Sequence, residues 1–188
     1  MKIGLYFGSF NPVHNGHLII VNHILNSTDL DQVWLAVSPQ NPLKKSSSLL
    51  NEYHRLHLVK SAIDGEKNIK ASSIEFHLPK PSYTIDTLTH IREKYPQHDF
   101  AIIMGGDSFN NIQKWKNYQV LLKEYTIYIY LRPGFEIAEH EKNIIILNAP
   151  LIEISSTRIR ELLKAGKSIR YLVPDIVKEE IDKNSYYR

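Results

Sequence analysis

The chain has 188 residues and no cysteine, which excludes a disulfide scaffold, a thiolate nucleophile, a cysteine zinc site and an iron–sulfur cluster. Hydrophobic residues make up 43% and charged residues 23%, so the chain is not disordered, and its length suits a single domain over 1–188 with no need of covalent staples. Lys+Arg of 23 against Asp+Glu of 20 gives a net charge of +3, a balance that suits a site for anions but does not by itself argue for nucleic acid. No apolar run approaches the ~18 residues of a membrane span, and Met1–Phe7 lacks a signal cleavage site, so a soluble cytoplasmic protein is expected.

In chain order, Lys2–Phe7 reads as a buried strand that Gly8-Ser9 ends, and His17–Leu25 as a helix through the spacing of Leu18, Val21, Ile24 and Leu25. Gln32–Val37 is the next strand. Ser38–Ser48, with two prolines, two lysines and a serine run, reads as a loop. Leu49–Ala62 returns to helical spacing, and Ile69–Ala71 is a short strand. Thr84–Tyr95 is a helix announced by Pro81-Ser82; Phe100–Met104, Thr126–Leu131 and Asn143–Leu147 are strands. Ser156–Lys164 and Pro174–Asp182 are helices that form a small C-terminal helical portion. Alternating strands and helices argue for an α/β fold, a mostly parallel sheet with helices on both faces. In such sheets ligands bind beyond the carboxyl ends of the strands.

The motifs lie at those ends. Gly8-Ser9-Phe10-Asn11-Pro12-Val13-His14-Asn15-Gly16-His17 joins the first strand to the first helix. Small residues let backbone N–H groups approach a phosphate, a helix start favours anions, and two histidines three apart can donate to phosphate oxygens from one side. The segment is not a Walker A loop, because no Gly-Lys-Ser/Thr follows. A metal reading of His14 and His17 lacks a third ligand nearby in sequence. After the last strand comes Ile154-Ser155-Ser156-Thr157-Arg158-Ile159-Arg160. One hydroxyl would suffice as a helix cap; three, with arginines, make a cradle for polyphosphate. A second pair, His54 and His57, reads as a metal pair or, the better reading without partners, as solvated or half-buried side chains. Arg132 is equally a turn residue or a phosphate contact.

Together these two motifs resemble the nucleotidylyltransferase superfamily, and more narrowly the bacterial nicotinate mononucleotide adenylyltransferases. Pro81-Ser82-Tyr83-Thr84-Ile85-Asp86-Thr87-Leu88, Met104-Gly105-Gly106-Asp107, Trp115 and Ser168-Ile169-Arg170-Tyr171-Leu172-Val173-Pro174 support the narrower resemblance. It implies a Rossmann-like fold and transfer of AMP from ATP to nicotinate mononucleotide, giving deamido-NAD and pyrophosphate with Mg²⁺ carried by ATP. By carry-over His14, His17 and Arg160 are catalytic. Gly8, Ser9, Phe10, His14, His17, Gly105, Asp107, Ser155, Ser156, Thr157 and Arg160 would bind ATP. Asn11, Lys44, Tyr83, Thr84, Trp115 and Arg132 would bind the acceptor, with Thr84 and Trp115 holding the pyridine; the polar residues around Trp115 suit an exposed, stacking ring, against the plainer reading that it packs. Arg158 occupies the variable position of its motif. The loop Asn41-Pro42-Leu43-Lys44-Lys45 departs from the family's Pro-Pro-His-Lys, with Leu43 where a histidine is usual, and leaves Lys44 and Lys45 as alternatives.

The acceptor's 5′-phosphate is already anionic and needs no general base, so donors and cations rather than paired carboxylates suit the reaction. The same chemistry on nicotinamide mononucleotide, a phosphopantetheine adenylyltransferase (a family that commonly carries Thr where this chain has His14) and a non-catalytic nucleotide sensor are the rivals. Neither a nucleic-acid nor a membrane partner is expected, and the sequence leaves self-association into a homo-oligomer open.

Overall fold

The computed structural model describes residues 1–40, 49–131, 142–150 and 153–188. Its sheet has six strands in the order β3-β2-β1-β4-β5-β6, formed by β1 (Lys2–Gly8), β2 (Gln32–Val37), β3 (Ile69–Ser72), β4 (Asp99–Gly105), β5 (Ile127–Leu131) and β6 (Ile144–Asn148). Every pairing is parallel. β1 lies centrally, with Ile3 opposite Gln32 of β2 and opposite Phe100 of β4.

The helices are α1 (Asn15–Ser27), α2 (Glu52–Ala62), α3 (Thr84–Lys94), α4 (Gly106–Phe109), α5 (Tyr118–Glu124), α6 (Ser156–Lys164) and α7 (Asp175–Lys183). Sequence periodicity accounts for all but the short α4 and α5 and two 3₁₀ turns, Ile74–His77 and Ile112–Lys114. Four-residue and seven-residue helices carry too few turns for an apolar stripe to show. No helix among the described residues is long and apolar enough to cross a membrane.

Strand side chains alternate between two cores. Tyr6 of β1, Val33, Leu35 and Val37 of β2, Ile103 of β4 and Tyr128 and Tyr130 of β5 face one core, covered by α1, α2, α6 and α7. Ile3 and Leu5, Trp34, Ile102 and Met104, and Ile127 and Ile129 face the other, covered by α3 and α5. Because both faces are buried, the strands read as continuous apolar runs rather than alternating ones.

Glu75 fixes where α3 starts. This carboxylate is 2% exposed and accepts hydrogen bonds from Ser82 Oγ and Thr87 Oγ1, both at 2.9 Å. Burial pushes its carboxyl above the ordinary range, against the opposing hydrogen bonds of Ser38, Thr87 and Ser82. A raised folded-state value means the native state holds this proton more tightly than the unfolded chain. The associated stability is present below the unfolded value of about 4.3 and is lost as pH rises through the folded one. Glu75→Gln is therefore expected to gain thermal stability relative to the parent as pH is raised from 4 to 7, as followed by melting curves across that range. Leu5, fully buried in the central strand, gives a separate expectation: Leu5→Ala lowers stability by about 2–5 kcal/mol, measured by urea denaturation.

Candidate active site

The chain leaves β1 toward one face of the sheet and β4 toward the other, so a crevice opens beyond their carboxyl ends, at Gly8 and Gly105. Phe10 requires the glycine at position 8, because a Cβ there would stand 2.8 Å from its ring. Phe10 is buried, takes the left-handed conformation at φ 45°, and meets the His17 ring edge-on with centroids 5.0 Å apart. With that ring buried, the face Phe10 offers a ligand is its backbone.

His14 caps α1, and its backbone N–H donates to His17 Nδ1 at 3.2 Å. With Nδ1 accepting, the neutral His17 ring carries its proton on Nε2, which becomes the donor. The two imidazoles stack with centroids 3.6 Å apart at 23°, His14 buried and His17 half-buried. Tyr6 packs edge-on against both Phe10 and His17.

The second motif docks on the first. Ser155 caps α6 by accepting from the Arg158 N–H at 3.2 Å. Ser156 Oγ donates to the Pro12 carbonyl at 2.9 Å. Arg160, one turn later, donates to the Asn11 carbonyl at 2.8 Å and to Thr157 Oγ1 at 3.3 Å. The Asn11 side-chain oxygen in turn accepts from the Leu50 N–H at 3.1 Å. The starts of α1 and α6 therefore meet beyond β1, bringing two positive dipole ends to one place. Arg158 instead pairs with Glu161 on the helix surface at 3.5 Å.

At the end of β4, Gly105 matters for its missing side chain. A Cβ there would lie 2.5 Å from Asp107 Oδ1 and 3.1 Å from the Tyr130 hydroxyl. The exposed Asp107 carboxylate can thus fold back over the strand end, and the Tyr130 hydroxyl lies 3.0 Å from that of Tyr6.

Across the sheet, Tyr83 and Thr84 start α3, and Trp115 follows the 3₁₀ turn Ile112–Lys114. Trp115, expected exposed, is half-buried: Ile112 anchors its turn in the core, and the indole packs on the core that also takes Tyr83. Lys116 joins the two segments, pairing with Asp86 at 2.8 Å and standing 5.1 Å from the Tyr83 ring centre. The structure thus places the Gly8–His17 and Ile154–Arg160 motifs over one face and Tyr83, Thr84 and Trp115 over the other. Leu43, Lys44, Lys45 and Arg132 lie outside the described residues.

The helix pair His54 and His57 does not converge. His54 Nδ1 lies 2.9 Å from the Tyr186 hydroxyl and His57 Nε2 3.4 Å from Glu180, so each steadies the C-terminal segment. Among the described residues, no group of three or more histidine and acidic side chains could hold a metal ion. Sequence reasoning passed over two buried charged groups, Glu75 and Arg55. Arg55 is fully buried and donates to the carbonyls of Ser9, Ser38 (2.8 Å), Pro39 (3.2 Å) and Leu50 (2.7 Å). Its only sequence signal is its place one residue before Leu56 and four before Val59, on the buried face of α2.

A cytidylyltransferase-like family model matches residues 5–162. A protein of Cytophaga hutchinsonii named "probable nicotinate-nucleotide adenylyltransferase" is 54% identical, covering 100% of this chain and 98% of the relative. One of the same name from Flavobacterium johnsoniae is 50% identical over the whole of both. Among solved structures, the Plasmodium falciparum nicotinic acid mononucleotide adenylyltransferase complexed with NaAD superposes with a TM-score of 0.85. It is 23% identical, with 99% of this chain and 97% of that one covered, and shows a shared fold. The chain belongs to the cytidylyltransferase-like proteins and, within them, to the nicotinate-nucleotide adenylyltransferase family.

Proposed function

We propose that the chain transfers AMP from ATP to nicotinate mononucleotide, releasing pyrophosphate and forming deamido-NAD in NAD biosynthesis, in the cytoplasm and as a single domain over 1–188. The observation that carries the reading is the docking of Ser156 and Arg160 on the Asn11-Pro12 backbone, which joins both phosphate motifs at the crevice of a chain belonging to this family.

An acceptor phosphate oxygen attacks the α-phosphorus of ATP, and the bond from that phosphorus to the bridging oxygen of pyrophosphate breaks. No proton has to leave the nucleophile, so the protein's task is to align two polyanions and offset their charge. In this reading the Gly8-Ser9-Phe10 backbone and the stacked His14 and His17 hold the α-phosphate side, with His17 Nε2–H donating. Ser155, Ser156, Thr157 and Arg160 hold the departing pyrophosphate. Gly105 and Asp107 meet the nucleoside. Asn11, Tyr83, Thr84 and Trp115 line the acceptor side, with Lys44 and Arg132 as further acceptor contacts. Mg²⁺, arriving with ATP, supplies charge neutralisation between the phosphates. Such an ion would be held by phosphate and water oxygens and would call for no protein cage.

His17→Ala is expected to lower kcat about 100- to 1,000-fold, the scale of one lost charge-stabilising donor, while still melting as one folded species. Steady-state pyrophosphate release checks this, and a near-normal kcat removes His17 from the mechanism. Trp115→Ala should raise KM for the acceptor about 3- to 10-fold, the scale of an aromatic contact, while leaving KM for ATP nearly unchanged. The reading as a whole is tested by incubating the protein with ATP, Mg²⁺ and either nicotinate or nicotinamide mononucleotide. Preference for the acid is expected. Preference for the amide would overturn the ring assignment, and no dinucleotide from either would overturn the function.

A further inference from the structure

Arg55 has a property the proposed reaction does not use. It is a fully buried guanidinium that, among the described residues, forms no ion pair and is hydrogen-bonded to four backbone carbonyls. Burial pulls it below its ordinary value, with Tyr187 and Glu52 acting the other way, yet an arginine stays charged at any physiological pH. Taking a cation out of water without a carboxylate is costly, while an apolar residue of similar size would leave the four carbonyls without their donor. What the guanidinium supplies that such a residue cannot is direction.

That direction falls on the phosphate loop. Arg55 Nη1 donates to both the Ser9 and the Ser38 carbonyl, while Nη2 and Nε take Pro39 and Leu50. In a trans peptide the C=O and the following N–H point in opposite directions. Holding the Ser9 oxygen inward therefore turns the Phe10 N–H outward. Phe10 also sits at φ 45°, a left-handed conformation that a bulky residue keeps only when its surroundings enforce it. One enforcing contact is the seat of its ring over Gly8; the other is the grip on the peptide that precedes it. Two residues on, Arg160 grips the Asn11 carbonyl in the same manner at 2.8 Å. Guanidinium groups from α2 and α6 thus hold alternate carbonyls of one loop.

We infer that Arg55 is a positioning residue for adenylyl transfer: from inside the fold it orients the Ser9–Phe10 peptide so that the Phe10 N–H is presented to the bound nucleotide's phosphate. The inference rests on the function proposed above. It assigns Arg55 no contact with substrate. A planar fork reaching several carbonyls is required, and a lysine at this position would keep the charge while losing the geometry.

The test compares the parent with Arg55→Lys and Arg55→Ala in dinucleotide formation, calorimetric ATP binding and thermal melting. Arg55→Lys should melt as one folded species yet lose about 10- to 100-fold in kcat, the scale of a misplaced contact, with KM for the acceptor unchanged. Guanidinium chloride at low millimolar concentration should restore part of the activity of Arg55→Ala and none of that of His17→Ala. If Arg55→Ala does not fold, Arg55→Lys decides alone. A folded Arg55→Lys with parental kcat overturns the inference and leaves Arg55 a packing residue. Should the parent itself make no dinucleotide, the function fails instead, and ATP binding becomes the readout. Weaker ATP binding by folded Arg55→Lys then upholds the positioning role, and parental affinity overturns it.

Discussion

Backbone carbonyls hold this site together. Ser9, Asn11 and Pro12 give up their oxygens to Arg55, Arg160 and Ser156, which come from α2 and α6. Such bonds fix the plane of each peptide, and with it the direction of the next N–H where there is one. At Gly8 the loop has no side chain, and at Phe10 the side chain is buried, so the backbone there is aimed by these bonds. The meeting of α1 with α6 rests on this frame, and the stacked His14 and His17 and the seat of Phe10 lie within it.

Much of it could be read from the chain. The strands announced themselves as apolar runs because both sheet faces are covered, and the motifs stood where those runs ended. That the Gly8–His17 and Ile154–Arg160 segments belong together followed from resemblance, not from spacing. Nothing local tells Pro12 that it will accept a bond from Ser156, 144 residues away. The half-burial of Trp115 was hidden for a similar reason. The polar residues around it suggest solvent, but Ile112 carries the turn into the core first.

Glu75 and Arg55 were illegible for a deeper reason. A charged residue on a helix or turn is read as facing water, since burying it is costly in most contexts. Each is tolerated here only by partners that the fold brings from elsewhere: hydroxyls of Ser82 and Thr87 for the one, carbonyls of four separate residues for the other. Pairings of that kind are a property of the tertiary structure: Ser82 and Thr87 stand only 7 and 12 residues beyond Glu75, yet no apolar period marks the match, and Ser9 stands 46 residues from Arg55.

The sheet itself divides the labour. Residues assigned to the triphosphate ride on helices covering one core, and those assigned to the pyridine ring rest on the other. Side chains on opposite faces of a strand share no packing neighbours, so changes on one side couple weakly to the other. A lineage with this architecture can reshape what it adenylylates by editing the start of α3 and the turn before α5, while the apparatus that activates ATP is inherited intact. The fold thus behaves as a fixed engine with an exchangeable coupling, and the sheet is the partition between them.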